Sequence, residues 1–127
     1  MKLNIEKSLE LKKQFRTKVG NCYRNAVNLY LDKKISEEYV IGYCSTNNGK
    51  HFFRHAWNVL DGKIIDSTLK DLTENIIYEP IHVLNRDNFH VAMMSTSGPA
   101  MLELDSEAEW AVQEKLREEY GTIPFYN

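Results

Sequence analysis

The sequence reads as an α+β domain in which N-terminal helices pack on an antiparallel β-sheet and a further helix closes the chain. Three observations predict this. Apolar residues recur at helical spacing from Ile5 to Leu31, and runs rich in β-branched and aromatic residues follow from Glu38 to Leu84. A charged stretch of helical composition then runs from Asp105 to Tyr120.

Ile5, Leu9, Leu11, Phe15 and Val19 give residues 3–18 the stripe of an amphipathic helix, and Gly20 and Asn21 break it. A second helix is expected at about 22–33, with Cys22, Tyr23, Ala26, Val27, Tyr30 and Leu31 along one side. Glu38–Ser45 reads as a strand, Thr46–Lys50 as a turn, Phe52–Leu60 as a second strand and Lys63–Thr68 as a third. Asp61-Gly62 between two apolar runs is a strong hairpin signal, because both central positions of the tight turn need φ > 0. Ile76–Leu84 and His90–Met94 are expected as strands, and Ser95–Pro99 as a loop. Asp105–Tyr120 is expected as a helix, with Ser106 and Glu109 placed as a capping box.

The 127 residues fit a single domain spanning 1–127, with no repeat, low-complexity tract or Pro/Gly-rich linker to divide it. An apolar share of 43% with 11% aromatics supports a core, and 27% charged residues argue against wholesale disorder. A net charge of -2 points away from nucleic-acid binding, which needs a basic face. Lys2, Lys7, Lys12, Lys13, Arg16 and Lys18 nevertheless crowd the first helix. Glu103, Asp105, Glu107, Glu109, Glu114, Glu118 and Glu119 crowd the last. These read as two solvated faces, opposed to each other, or as a partner-binding surface. No stretch reaches the roughly 20 apolar residues of a membrane span. The charged N-terminus is not a signal peptide. Two cysteines make no disulfide framework, so both are expected as thiols in a cytoplasmic protein.

One of those thiols is placed for chemistry. Cys22 is expected at the first turn of a helix, where unpaired N–H groups and the positive end of the dipole favour a thiolate and can hold a developing oxyanion. If Asp61-Gly62 forms a two-residue turn, Leu60 faces Lys63, Trp57 faces Asp66 and His55 faces Thr68. His55, Trp57, Asp66 and Thr68 then share one face, and Asp66 is the diagonal neighbour of His55. A carboxylate so placed orients an imidazole that in turn activates a thiol. The expected catalytic set is Cys22, His55 and Asp66.

The C-Y-R-N-A run at Cys22, the Y-V-I-G-Y strand, H-A-W-N at His55 and D-G-K-I-I-D-S-T through Asp66 resemble the transglutaminase-like branch of the papain-like cysteine enzymes. More specifically, they resemble small bacterial and phage members of that type. It covers about residues 20–70, and the order and spacing of the motifs are more specific than any one of them. The resemblance implies a papain/transglutaminase-like fold, with a helix packed on an antiparallel sheet. It implies Cys22 as nucleophile, His55 as general base and Asp66 as its partner, acting on an amide, isopeptide or glutamine side chain of a protein or peptide. The family includes proteases, transglutaminases, deamidases, peptide N-glycanases and members without activity, so a mechanism is implied more sharply than a substrate. Papain-like members place an oxyanion-hole glutamine a few residues before the cysteine. Here the nearest is Gln14, in the first helix, with Asn21 and the Trp57 indole N–H as alternative donors. Asn25, one turn after Cys22, lines the site or bonds the neighbouring backbone.

Other residues carry plainer expectations. Cys44 reads as a packed thiol. His51 and His55 lie on an extended span with no second ligand pair, so neither a metal nor a cofactor is expected. His82 and His90 read as structural or surface residues, Gly98-Pro99 as an ordinary turn, and Tyr23, Tyr39, Tyr43, Phe52 and Phe53 as packing. The competing class is a non-catalytic intracellular adaptor or inhibitor, a role that phage-like relatives would make natural, that keeps the fold and binds a cellular protein.

Overall fold

The computed structural model of the chain describes residues 1–89 and 106–126. In chain order the elements are α1 (Ile5–Phe15), α2 (Cys22–Tyr30), β1 (Glu38–Ser45), β2 (Phe52–Leu60), β3 (Lys63–Ile65), β4 (Ile77–Leu84), α3 (Ser106–Tyr120) and β5 (Phe125–Tyr126). The sheet runs β3-β2-β1-β4 with every neighbour antiparallel, and β5 adds a short parallel pairing to β2. The architecture is α+β with helices on an antiparallel sheet, as the sequence indicates. The strand expected at His90–Met94 and the loop at Ser95–Pro99 lie outside the described residues.

The Asp61-Gly62 turn takes the form its residues require, with φ of 52° and 71°. It sets the register Leu60↔Lys63, Val59↔Ile64 and Asn58↔Ile65. Pairing stops there, so the third strand ends at Ile65 rather than at Thr68. The reason is chemical: the Asp66 carboxylate accepts from the N–H groups of Thr68 and Leu69, which curls the chain away from the ladder.

This early exit shapes the site. Since β1 occupies one edge of β2 along most of its length, β3 and β5 share the other, β3 at residues 58–60 and β5 at 52–53. Among the described residues, no strand pairs with residues 54–57 on that edge. His55 and Trp57 stand on one face of β2, beside Gly42 and Val40 of β1. Ala56 and Asn58 stand on the other, against α2, where the Asn58 amide donates to the Ala26 carbonyl at 2.9 Å and to Ser36 Oγ at 2.9 Å.

Apolar burial fixes the helices on this frame. Ala26 and Tyr30 of α2 pack with Tyr39, Ile41 and Ala56, while Leu29 joins Leu11 of α1, Ile35 and Ile65. Leu116 of α3 packs with Tyr43, Phe52 and Ile123. The helical stripes differ in detail from their expected composition. Ser8 and Leu11 form the buried face of α1, whereas Leu9 and Val19 are exposed, and Leu31 lies beyond α2 and in solvent. The Asn4 carboxamide caps α1 through the Lys7 N–H at 3.0 Å. The charge-rich helices do not face each other: α1 lies beside β3 and α3 beside β4, the two outer strands. Glu109 binds Arg54 of β2 and the Tyr43 hydroxyl, so its carboxylate is engaged by the sheet.

Gly42 sits where the sheet is tightest. A Cβ there would meet the Glu79 carbonyl, and it would lie 2.8 Å from both Pro80 Cα and the Trp57 ring. We expect Gly42→Ala to cost about 2–4 kcal/mol in urea denaturation, because the obstruction is backbone on β4 and cannot relax by a rotamer change. A loss within about 0.5 kcal/mol would contradict this packing.

Candidate active site

Cys22 opens α2. Gly20, with φ of +92°, turns the chain before it, and Asn21 occupies the N-cap without a side-chain capping bond. The first-turn N–H groups of α2 therefore lack the side-chain acceptor that helix starts commonly receive. The helix packs on β2, and Cys22 lines one cleft with His55.

The ring is fixed from behind. His55 Nε2 meets Asp66 Oδ2 at 2.8 Å, with both residues buried, His55 at 2% and Asp66 at 0% exposure. With Nε2 engaged, Nδ1 is the nitrogen left to face the sulfur. Asp66 Oδ1 accepts from the N–H groups of Thr68 at 2.9 Å and Leu69 at 3.1 Å, and Oδ2 also accepts from the Tyr78 hydroxyl at 2.8 Å. Four donors thus meet a carboxylate that burial would otherwise make costly. The Asp66 N–H itself donates to Ser8 Oγ at 3.0 Å, which ties α1 to the same point. Trp57 stacks near the His55 ring, centroids 6.2 Å apart, and meets Tyr78 edge-on at 5.0 Å.

Burial alone would lower the His55 pKa, but the charge and hydrogen bond of Asp66, aided by Cys22, outweigh it and raise the value to about 9. Asp66 shows the mirror image. Burial favours its neutral form, yet His55 and the Thr68 and Leu69 N–H groups hold the carboxyl below its usual range. Cys44 lies fully buried in β1, where burial pushes its thiol up.

A cleft of about 270 Å³ opens at the thiol. Its walls include Val19, Tyr23, Phe53 and Leu69, with Cys22 and His55 between them. The two loops that bound it are fastened to each other and to α1. Thr17 Oγ1 donates to the Ser67 carbonyl at 2.5 Å, Lys12 Nζ donates to the Leu69 carbonyl at 2.5 Å, and Asn25 Nδ2 donates both to the Lys18 carbonyl at 2.9 Å and to Thr68 Oγ1 at 2.8 Å. A larger cavity of about 350 Å³, lined by Tyr78 and Met1, does not include the thiol.

The structure brings Cys22, His55 and Asp66 together and separates the other residues singled out in the sequence. Gln14 is exposed on α1 and does not line the cleft, because α1 turns Leu11 and Ser8 inward. Trp57 is buried with Val40, Val59 and Ile64, so its indole backs the His55 ring and does not line the cleft. Asn25 spends its amide on Lys18 and Thr68, a fastening role. Asn21 adjoins Cys22 but lines a separate, smaller depression with Arg16, Lys18 and Arg24. Among the described residues, no three His, Cys, Asp or Glu side chains are grouped to hold a metal. Tyr78 and Ser8 were not expected at the site. Tyr78 arrives through the pairing of β4 with β1, where it lies opposite Cys44, and no local motif announces that contact. No family model, curated protein or solved structure matches the chain.

The buried pair makes stability depend on pH in a definite direction. His55 holds its proton more tightly folded than unfolded, so its contribution is complete below its ordinary value of 6.5 and is lost as pH rises through about 9. Asp66, held low, contributes above its ordinary 3.8 and loses that contribution as pH falls. Calorimetry should show the melting temperature falling between about pH 6.5 and 9, with the slope much reduced in His55→Ala. Equal slopes in the two proteins would contradict the pairing.

Proposed function

We propose that the protein is a cysteine acyl hydrolase or transferase of papain/transglutaminase-like type. Cys22 is its nucleophile, His55 its acid and base, and Asp66 the group that orients His55. One observation carries this reading: Cys22 and His55 line one cleft, and behind it the buried Asp66 carboxylate holds the His55 ring at 2.8 Å.

The chemistry follows the arrangement. His55 Nδ1 takes the thiol proton, and the sulfur attacks an acyl carbonyl to give a tetrahedral oxyanion beside the first turn of α2. The imidazolium, held in its tautomer by Asp66, hands the proton to the leaving amine as the C–N bond breaks and a thioester forms. A water or an amine then attacks the thioester, loses its proton to His55 and releases Cys22. With water the outcome is hydrolysis, or deamidation when the acyl group is an amide side chain. With an amine it is transfer. Once the ring has taken the thiol proton, the Asp66 charge favours its protonated form until the donation step, and the apolar walls fit a segment of protein or peptide.

Alkylation by iodoacetamide at neutral pH tests this. Cys22 should react far faster than Cys44, but exposure alone would favour it, so the informative variant is His55→Ala. That change should slow Cys22 by about 10-fold or more while leaving Cys44 unchanged. A Cys22 rate indifferent to His55 would overturn the enzymatic reading.

A further inference from the structure

The reading above uses His55 and Asp66 but assigns nothing to Tyr78, although its hydroxyl reaches the same carboxylate oxygen. We infer that Tyr78 is a positioning residue that sets how tightly the His55–Asp66 pair holds its proton, by sharing Asp66 Oδ2 with the imidazole. For the reaction, this inference rests on the proposed function; the coupling of Tyr78 to His55 stands on geometry alone.

The carboxylate has four strong acceptor directions, and all are used. Two donors, the Thr68 and Leu69 N–H groups, lie on Oδ1 at 2.9 and 3.1 Å, and they are backbone, so no side-chain exchange alters them. The other two, His55 Nε2 and the Tyr78 hydroxyl, both lie 2.8 Å from Oδ2. Donors on one oxygen compete for its charge: each weakens the attraction left for the other. Tyr78 therefore moderates the pull of Asp66 on the imidazolium. Without it, the ring would hold its proton more tightly and yield it less readily to a leaving group.

Tyr78 is suited to this because it stays a neutral donor. Burial, followed by the charge of Asp66, pushes its phenol above the usual tyrosine range. Among the described residues, the groups coupled to the pair are Cys22 from α2, Cys44 from β1 and Tyr78 from β4, with the Thr68 and Leu69 backbone as the other donors. Trp57 packs against both His55 and Tyr78, which holds the phenol where it is.

The test is the His55 titration followed by NMR in protein labelled at histidine, alongside the melting temperature. Tyr78→Phe keeps the ring and removes the hydroxyl. We expect the His55 midpoint to rise by about 0.5 pH unit, because one fewer donor on Oδ2 leaves more of its charge to the imidazolium. Fluorotyrosine at position 78, a stronger donor, should move the midpoint the other way, and it keeps the test intact if Tyr78→Phe does not fold. A midpoint unmoved in either variant, with only the melting temperature changed, would show that Tyr78 merely packs and would overturn the inference. Iodoacetamide labelling separates the two claims. If Cys22 remains His55-dependent while the midpoint is unmoved, the positioning role fails and the proposed chemistry survives. If the midpoint moves while Cys22 ignores His55, the coupling holds and the proposed chemistry fails.

Discussion

A carboxylate with no exposed surface governs this molecule. Bringing an ionised aspartate into a protein interior costs several kcal/mol unless donors replace the lost water. Asp66 receives them from four directions, and each donor places a different part of the chain. Thr68 and Leu69 curl the backbone out of the ladder, His55 fixes the middle of β2, and Tyr78 fixes β4. Ser8 accepts the Asp66 N–H and so draws in α1. Removing the carboxylate would leave these groups facing one another without an acceptor, which is why a single residue constrains so much of the fold.

The same curl creates the opening that the chemistry needs. A third strand running on to Thr68 would cover the edge of β2 beside His55. Because pairing ends at Ile65, β3 does not cover that stretch of β2, and Cys22 at the start of α2 lines a cleft there with His55. Asn25 then secures the arrangement by joining the loop before Cys22 to the loop after Asp66. In the proposed reaction the thiol and the imidazole would work from the cleft they both line, while the imidazole and the carboxylate meet where water is excluded. Under the proposed function, this separation would let a single histidine be both tightly oriented and reactive.

Much of this was legible in the sequence, for local reasons. Asp61-Gly62 fixes a two-residue turn, so the register of β2 with β3 and the common face of His55 and Trp57 follow from strand alternation. The bounds of β1 and β2 were readable because turn residues flank dense β-branched and aromatic runs. The placement of Cys22 at a helix start followed from Gly20 and Asn21. What local pattern did not reveal depends on contacts between distant segments. Tyr78 looks like any inward aromatic of a strand until β4 pairs with β1. Gln14 looked like an oxyanion donor only from its distance along the chain, whereas the turn of α1 exposes it. Trp57 has an N–H suited to a cleft, but Val40, Val59 and Ile64 bury it on the other side of the ring. Ser8 is a polar residue in an apolar stripe, and only the neighbouring Asp66 N–H explains it.

The central claim is that the Cys22 sulfur accepts an acyl group with the help of His55. Brief exposure to p-nitrophenyl acetate, an acid quench and peptide mass spectrometry tests it most directly. The expected result is an acetyl group on the peptide bearing Cys22, absent from Cys44 and lost in a folded His55→Ala protein. Acetylation spread over lysines alone, or equal on Cys22 with and without His55, would contradict it.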